Sequence, residues 1–253
     1  MDHFIQSFST GVIQGTTEFL PVSSSGHLFL LRNFFQMNFG TDYVVLLHLG
    51  TLIAVMFFFW KDIWHILKGM LSKDMGAWRI FISLVIGTIP AAISGLLLED
   101  WLEIYLTSNW VIGVSLIITG LLLFLTDRFP EDRTGLKEVG IKKALIIGLF
   151  QAIAIVPGLS RSGLTLFGSL LVGLKREDAF KFSFLLSIPV ILGGTLLKIN
   201  QITQTTGGGM GFLFAAVSGF FSLWLLRFLT KAKKLKYFAF YCWIIGILSI
   251  VIS

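Results

Sequence analysis

Gly11-Val12-Ile13-Gln14-Gly15-Thr16-Thr17-Glu18-Phe19-Leu20-Pro21-Val22-Ser23-Ser24-Ser25-Gly26-His27 has a partner past the middle of the chain. It reads Gly148-Leu149-Phe150-Gln151-Ala152-Ile153-Ala154-Ile155-Val156-Pro157-Gly158-Leu159-Ser160-Arg161-Ser162-Gly163. Each copy opens with Gly-x-x-Gln and closes with Ser-x-Ser-Gly, the two glycines are equally far apart, and only the proline shifts by one place. An ordered set of this kind points to one site built from two related halves.

The surroundings fix the solvent. With 55% hydrophobic and 13% charged residues and a mean hydropathy of +0.85, the chain lies far from soluble domains, where about a quarter of residues are charged. It reads as an all-α polytopic membrane protein forming a single domain over 1–253, with internal repeats over about 1–126 and 140–253. Six apolar stretches come close to the roughly 20 residues that cross a bilayer: Asp42 to Trp60, Ile80 to Leu98, Trp110 to Thr126, Phe180 to Leu197, Met210 to Thr230 and Tyr237 to Ile252. The N-terminus lacks the basic start of a secretory signal, so no removable segment is expected there. One cysteine, Cys242, excludes an internal disulfide and a cysteine-based metal cluster.

The basic excess needs no nucleic-acid partner, because its distribution is topological. Lys61, Lys68, Lys73 and Arg79 fall in one connection, Arg128, Arg133, Lys137, Lys142 and Lys143 in a second, and Lys231, Lys233, Lys234 and Lys236 in a third. These are expected to be cytoplasmic. The connections Glu99 to Asn109 and Ile199 to Gly209 carry no Lys or Arg and are expected outside. Six spans alternate consistently only if the two motif segments, about Phe4 to Met37 and Ala144 to Leu174, each enter and leave on one side. They read as re-entrant helical hairpins, broken near Pro21 and Pro157. An odd number of spans between them turns the second half upside down, giving an inverted-topology repeat with both termini outside.

Ionisable residues at this depth are functional by default. Arg161 offers a planar fork suited to phosphate oxygens, with Ser160 and Ser162 beside it. Glu18 is the carboxylate of the first hairpin, and His27, three residues after Ser24, suits a general base, a nucleophile or the group that activates a serine. The plainer alternative is that Glu18 and Arg161 pair and hold the halves together, with the serines satisfying backbone groups. His48 reads as a packing or supporting histidine. A headgroup site in an inverted repeat equally suits a polyprenyl-phosphate transporter or flippase; an ion channel fits the sparse charge less well.

The chain resembles the undecaprenyl pyrophosphate phosphatases of the bacitracin-resistance type. The resemblance rests on Gln14 to His27, on Leu47-His48-Leu49-Gly50-Thr51-Leu52 and on Pro157 to Thr165, and the hydropathy layout agrees from end to end. It implies hydrolysis of undecaprenyl diphosphate to the monophosphate at the outer face of a bacterial plasma membrane, recycling a lipid carrier for cell-wall synthesis. It places Glu18, His27 and Arg161 in catalytic positions with Ser24 a further candidate; Gln14, Ser23, Ser25, Gly158, Ser160, Ser162 and Thr165 are expected to bind substrate. It also implies Mg2+ or Ca2+, for which Glu18 is the protein ligand. Gln14 stands where the family's more acidic version has Glu, so a cation here would lean on the substrate's own diphosphate oxygens. Membrane lipids and a polyprenyl diphosphate are the expected partners. The nucleophile stays open among His27, Ser24 and water.

Overall fold

The structure, a computed structural model, describes residues 3–37, 39–130, 134–198 and 208–252. Its long elements are helices throughout. The first motif copy breaks a helical pair, α1 (His3–Phe19) and α2 (Ser24–Phe35); α3 (Thr41–Phe58), α4 (Trp60–Leu71), α5 (Met75–Tyr105) and α6 (Asn109–Thr126) follow. The second copy breaks α7 (Ile141–Ile153) from α8 (Arg161–Leu171), and α9 (Arg176–Leu197), α10 (Gly209–Lys231) and α11 (Lys236–Val251) complete the order. By length and composition α3, the first part of α5, α6, α9 and α10 can each cross a membrane. Large apolar side chains such as Phe57, Leu97 and Trp224 are turned outward, as lipid contact requires. The chain is an all-α, multi-pass membrane protein.

Several expected boundaries move. The last expected span forms α11, whose 16 residues reach about 24 Å at 1.5 Å per residue, short of the roughly 30 Å hydrocarbon core. The expected outer connection from Glu99 is helical as far as Tyr105, and α5 starts five residues before Ile80, at Met75. Its start is set by Asp74, whose Oδ1 accepts the Gly76 N–H at 2.8 Å. That bond and the nearby Lys137 hold the Asp74 carboxyl below the usual carboxylate range. Pro90 sits inside α5 without ending it, as membrane helices tolerate when neighbours satisfy the freed backbone. Helix α4 was not expected; it carries Lys61, Asp62 and Lys68 and buries none of its residues. Residues 131–133 and 199–207, part of two expected connections, lie outside the described residues.

The two halves exchange helices. Helix α1 packs along α10 of the second half, and α7 packs along α5 of the first. The opening glycine of each motif copy sits in that contact. A Cβ on Gly11 would lie 2.8 Å from Phe214 Cβ, and one on Gly148 would lie 3.0 Å from Gly87 Cα. Only a missing side chain lets the backbones come this close, the usual way membrane helices gain packing energy. The final helices of the halves, α6 and α11, close on each other through Gly113 and Gly246, while α3 and α9 meet between the hairpins. An aromatic core joins them: Phe180 and Phe184 lie 4.8 Å apart by ring centroids, and Phe19 and Phe59 pack against Phe184. The breaks of both hairpins are thereby brought face to face.

Candidate active site

The closing Ser-x-Ser-Gly of each copy is a helix cap. Ser23 precedes α2 and its Oγ accepts the Gly26 N–H at 3.3 Å; Ser160 precedes α8 and its Oγ accepts the Gly163 N–H at 3.2 Å. The second serine of each motif stands beside the first, at 3.3 Å for Ser23 and Ser25 and 3.2 Å for Ser160 and Ser162. Two matched helix N-termini therefore meet, each with the free N–H groups and positive dipole end that favour an anion. The approach to each cap has a left-handed backbone, at Ser23 (φ 70°) and at Gly158 (φ 89°). Any side chain on Gly158 would also meet Ile112 Cα at 2.8 Å. Ser23 has no such freedom, and strain of this kind at a non-glycine residue gathers at functional sites.

Between the serines lies the position where the copies differ, Ser24 in one and Arg161 in the other, and both reach the same carboxylate. Ser24 Oγ donates to Glu18 Oε2 at 2.7 Å, and Arg161 Nη2 donates to Glu18 Oε1 at 2.5 Å. Gln14 Nε2, one turn back on α1, donates to Oε2 at 3.1 Å, and His48 Nε2 from α3 stands 3.5 Å from that oxygen. His48 is held in turn by its Nδ1–H, which donates to the Val44 carbonyl at 2.9 Å. Glu18 is 8% exposed, so this is a buried carboxylate matched by a guanidinium and a ring of donors. Glu18, Ser24, Ser25, Ser160, Arg161 and His48 line a cavity of about 190 Å³. Glu18, Ser25, His48 and Arg161 also border a second one of about 400 Å³, rimmed by Thr41, Leu102 and Lys198.

Residues 7–248 match a family model described as "Bacitracin resistance protein BacA". This chain belongs to the BacA family. A relative in Thermosipho africanus is 42% identical over 253 residues, covering 100% of each chain. One in Methanococcus vannielii is 39% identical over 246 residues, 97% of this chain and 99% of its own, and one in Thermosipho melanesiensis is 42% identical over 243 residues, 96% and 97%. All three carry the name undecaprenyl-diphosphatase.

The residues singled out by sequence divide within this BacA-family site. Glu18, Ser23, Ser24, Ser25, Ser160 and Arg161 share the small cavity. Gln14 touches it only through Glu18. Gly158 shapes the second turn, where its N–H lies 3.5 Å from Ser25 Oγ. Ser162 is spent on Ser160, and Thr165 on the Arg161 carbonyl at 2.8 Å and Ser183 Oγ at 2.5 Å. His27 is turned away from Glu18: its Nδ1–H donates to the Ser23 carbonyl at 2.8 Å, and its Nε2 accepts from the Tyr241 hydroxyl at 2.7 Å, with the rings stacked 5.6 Å apart. His48, read from the sequence as a packing or supporting histidine, is the one that stands beside Glu18. An ionisable residue within the α3 span was the available signal, and it gave no direction.

Proposed function

We propose that this chain hydrolyses undecaprenyl diphosphate to undecaprenyl phosphate and inorganic phosphate. The observation that carries the proposal is the difference at the matched positions. Binding a headgroup by symmetry would be served by the same residue twice, whereas Ser24 and Arg161 place a hydroxyl and a cation on the two oxygens of one carboxylate. That combination exceeds what transport requires. The names of the relatives support the same substrate.

In this reading the terminal phosphate lies between the two caps, where Arg161, Ser160 and the free backbone N–H groups take up its charge. Glu18 draws the proton from Ser24 Oγ, a bond forms from Oγ to the terminal phosphorus, and the bridging oxygen leaves on undecaprenyl phosphate. Glu18 then releases that proton to solvent. In the second step it takes a proton from a water whose oxygen bonds to the phosphorus, the phosphorus–Oγ bond breaks, and the proton passes to Ser24 Oγ as inorganic phosphate departs. Positioning and charge neutralisation carry most of the barrier reduction, as in other phosphoryl transfers.

Among the described residues no group of three or more His, Cys, Asp and Glu side chains could hold a metal ion. Both Glu18 oxygens already accept from protein donors, so a resident Mg2+ or Ca2+, which needs six or more oxygen ligands, does not fit. A cation would arrive on the substrate's own diphosphate oxygens, and the steps above use protein groups alone.

The six-span inverted repeat with two re-entrant hairpins remains our reading of the topology. The exchanged pairs α1 with α10 and α7 with α5 and the lysine distribution support it. The larger cavity is rimmed by the first residue of α3, the end of α5 and the residue after α9. These are the ends opposite the lysine-rich connections, which favours opening to the outer face.

Phosphate release from undecaprenyl diphosphate by the purified protein in detergent tests the function; a folded protein that releases none overturns it. His27 acts here as a positioning residue that holds the Ser23 carbonyl at the strained turn. His27→Ala is expected to lower kcat by roughly 10- to 100-fold, as loss of orientation does, with Tyr241→Phe smaller in the same direction. Complete loss of turnover in His27→Ala, with Tyr241→Phe unaffected, would return His27 to the chemistry.

A further inference from the structure

Gln151 closes the Gly-x-x-Gln of the second motif copy as Gln14 does in the first, yet the two have different fates. In the first copy the carboxylate of Glu18 lies one turn on and accepts from Gln14 Nε2. The second copy has Ile155 at the matching position. Gln151 is accordingly left with no hydrogen-bond partner for Nε2 or Oε1 among the described residues, although only 3% of it is exposed. A buried amide in that condition costs free energy that an apolar residue of the same size would not. The outer Arg161 nitrogen, Nη1, is likewise buried and unpartnered among the described residues.

Gln151 and Arg161 both line a third cavity, of about 700 Å³, formed between α5, α7 and α9. Away from those two residues, His48 and Thr88, its wall is apolar: Ala91, Leu96, Pro189, Val190 and Leu197 are typical. Three glycines, Gly95, Gly193 and Gly194, widen it, and each has open space where a Cβ would stand. A molecule fitting this cavity is long and apolar and carries acceptor oxygens at the end that meets Arg161.

Resting on the phosphatase reading, we propose that Gln151 is a specificity-determining contact for the phosphate adjoining the lipid. The first segment of the prenyl chain lies in the α5–α7–α9 cleft. The terminal phosphate sits at the caps with Ser24 and Arg161. The phosphate that stays on the lipid turns back toward α7, where the Gln151 carboxamide donates to one of its oxygens and Arg161 Nη1 to another. Gln151 thus reads the lipid-phosphate junction and is separate from the reacting atoms.

The test compares wild type with Gln151→Leu in detergent, using undecaprenyl diphosphate for turnover and farnesyl monophosphate and inorganic pyrophosphate for thermal protection. Losing a hydrogen bond to a charged group corresponds to roughly 10- to 100-fold in affinity. Gln151→Leu is expected to raise KM by that factor with kcat within about threefold. It should also lose protection by farnesyl monophosphate while keeping protection by pyrophosphate. Its own Tm should equal or exceed that of wild type, since an unpaired buried amide is gone. Unchanged KM and unchanged farnesyl monophosphate protection would make Gln151 a packing residue and overturn the proposal; equal loss of protection by both ligands would overturn its assignment to the lipid-linked phosphate. If wild type proves inactive on undecaprenyl diphosphate, the phosphatase reading fails, and the protection measurements still decide whether Gln151 binds a lipid phosphate.

Discussion

Replacing Ser24 by alanine is expected to lower kcat by about a thousandfold or more, with KM within a few fold and Tm close to wild type. The hydroxyl donates to Glu18 Oε2 at 2.7 Å from the first turn of α2, so it is aimed by a capped helix start and has its base already in contact. The fold loses little with it: Gln14 still donates to the same Glu18 oxygen, and the cap of α2 belongs to Ser23. Acid quenching during turnover gives the second readout. A phosphorylated Ser24, found by mass spectrometry in wild type and absent from Ser24→Ala, would establish the covalent intermediate. Retention of more than about a tenth of wild-type kcat in Ser24→Ala would instead give the attacking role to water, with Glu18 as its base.

Much of this architecture was legible because repetition survives in the chain. The matched Ser-x-Ser-Gly placed both helix breaks, and hydropathy placed α3, α6, α9 and α10 to within a few residues. What escaped depended on helix rotation and on neighbours. Whether His48 faces lipid or Glu18 is set by how α3 packs against α1 and α9, and no spacing within either segment records it. His27 has the residue type and sequence proximity for catalysis, but it occupies N4 of α2, where one turn of helix carries it back over the Ser23 carbonyl and toward α11. Helix α4 was invisible to a search for 20-residue apolar windows, because its alternation of Trp60, Trp64 and Leu71 with Lys61, Asp62 and Lys68 suits an interface better than a span. The pairing of Glu18 with Arg161 was foreseen only as a structural alternative. Its geometry shows why structure and chemistry do not compete here: one guanidinium nitrogen satisfies the carboxylate and the other is left unpartnered among the described residues.

That division makes Arg161 the second decisive position. Arg161→Ala is expected to abolish turnover and also to destabilise the protein by about 3–5 kcal/mol, because it strands a buried carboxylate without its cation. The side chains of Arg161 and Glu18 are 15% and 7% exposed, so solvent does not replace the lost partner. Activity loss in that variant alone therefore cannot separate a clamp from a strut. Arg161→Lys does separate them. An ammonium can neutralise Glu18 and hold the hairpins together, but it is a point charge and lacks the second arm of the fork, so it cannot serve Glu18 and the phosphate in one plane. The expected result is a Tm within a few degrees of wild type and a kcat/KM lower by about 100- to 1,000-fold, the size of effect that follows loss of a preorganised donor at developing charge. Phosphate release and thermal unfolding measured on one preparation decide it. Near-native kcat/KM with near-native Tm in Arg161→Lys would mean that Arg161 is there to pair with Glu18, and the terminal phosphate would then be held by Ser160 and the two helix N-termini without it.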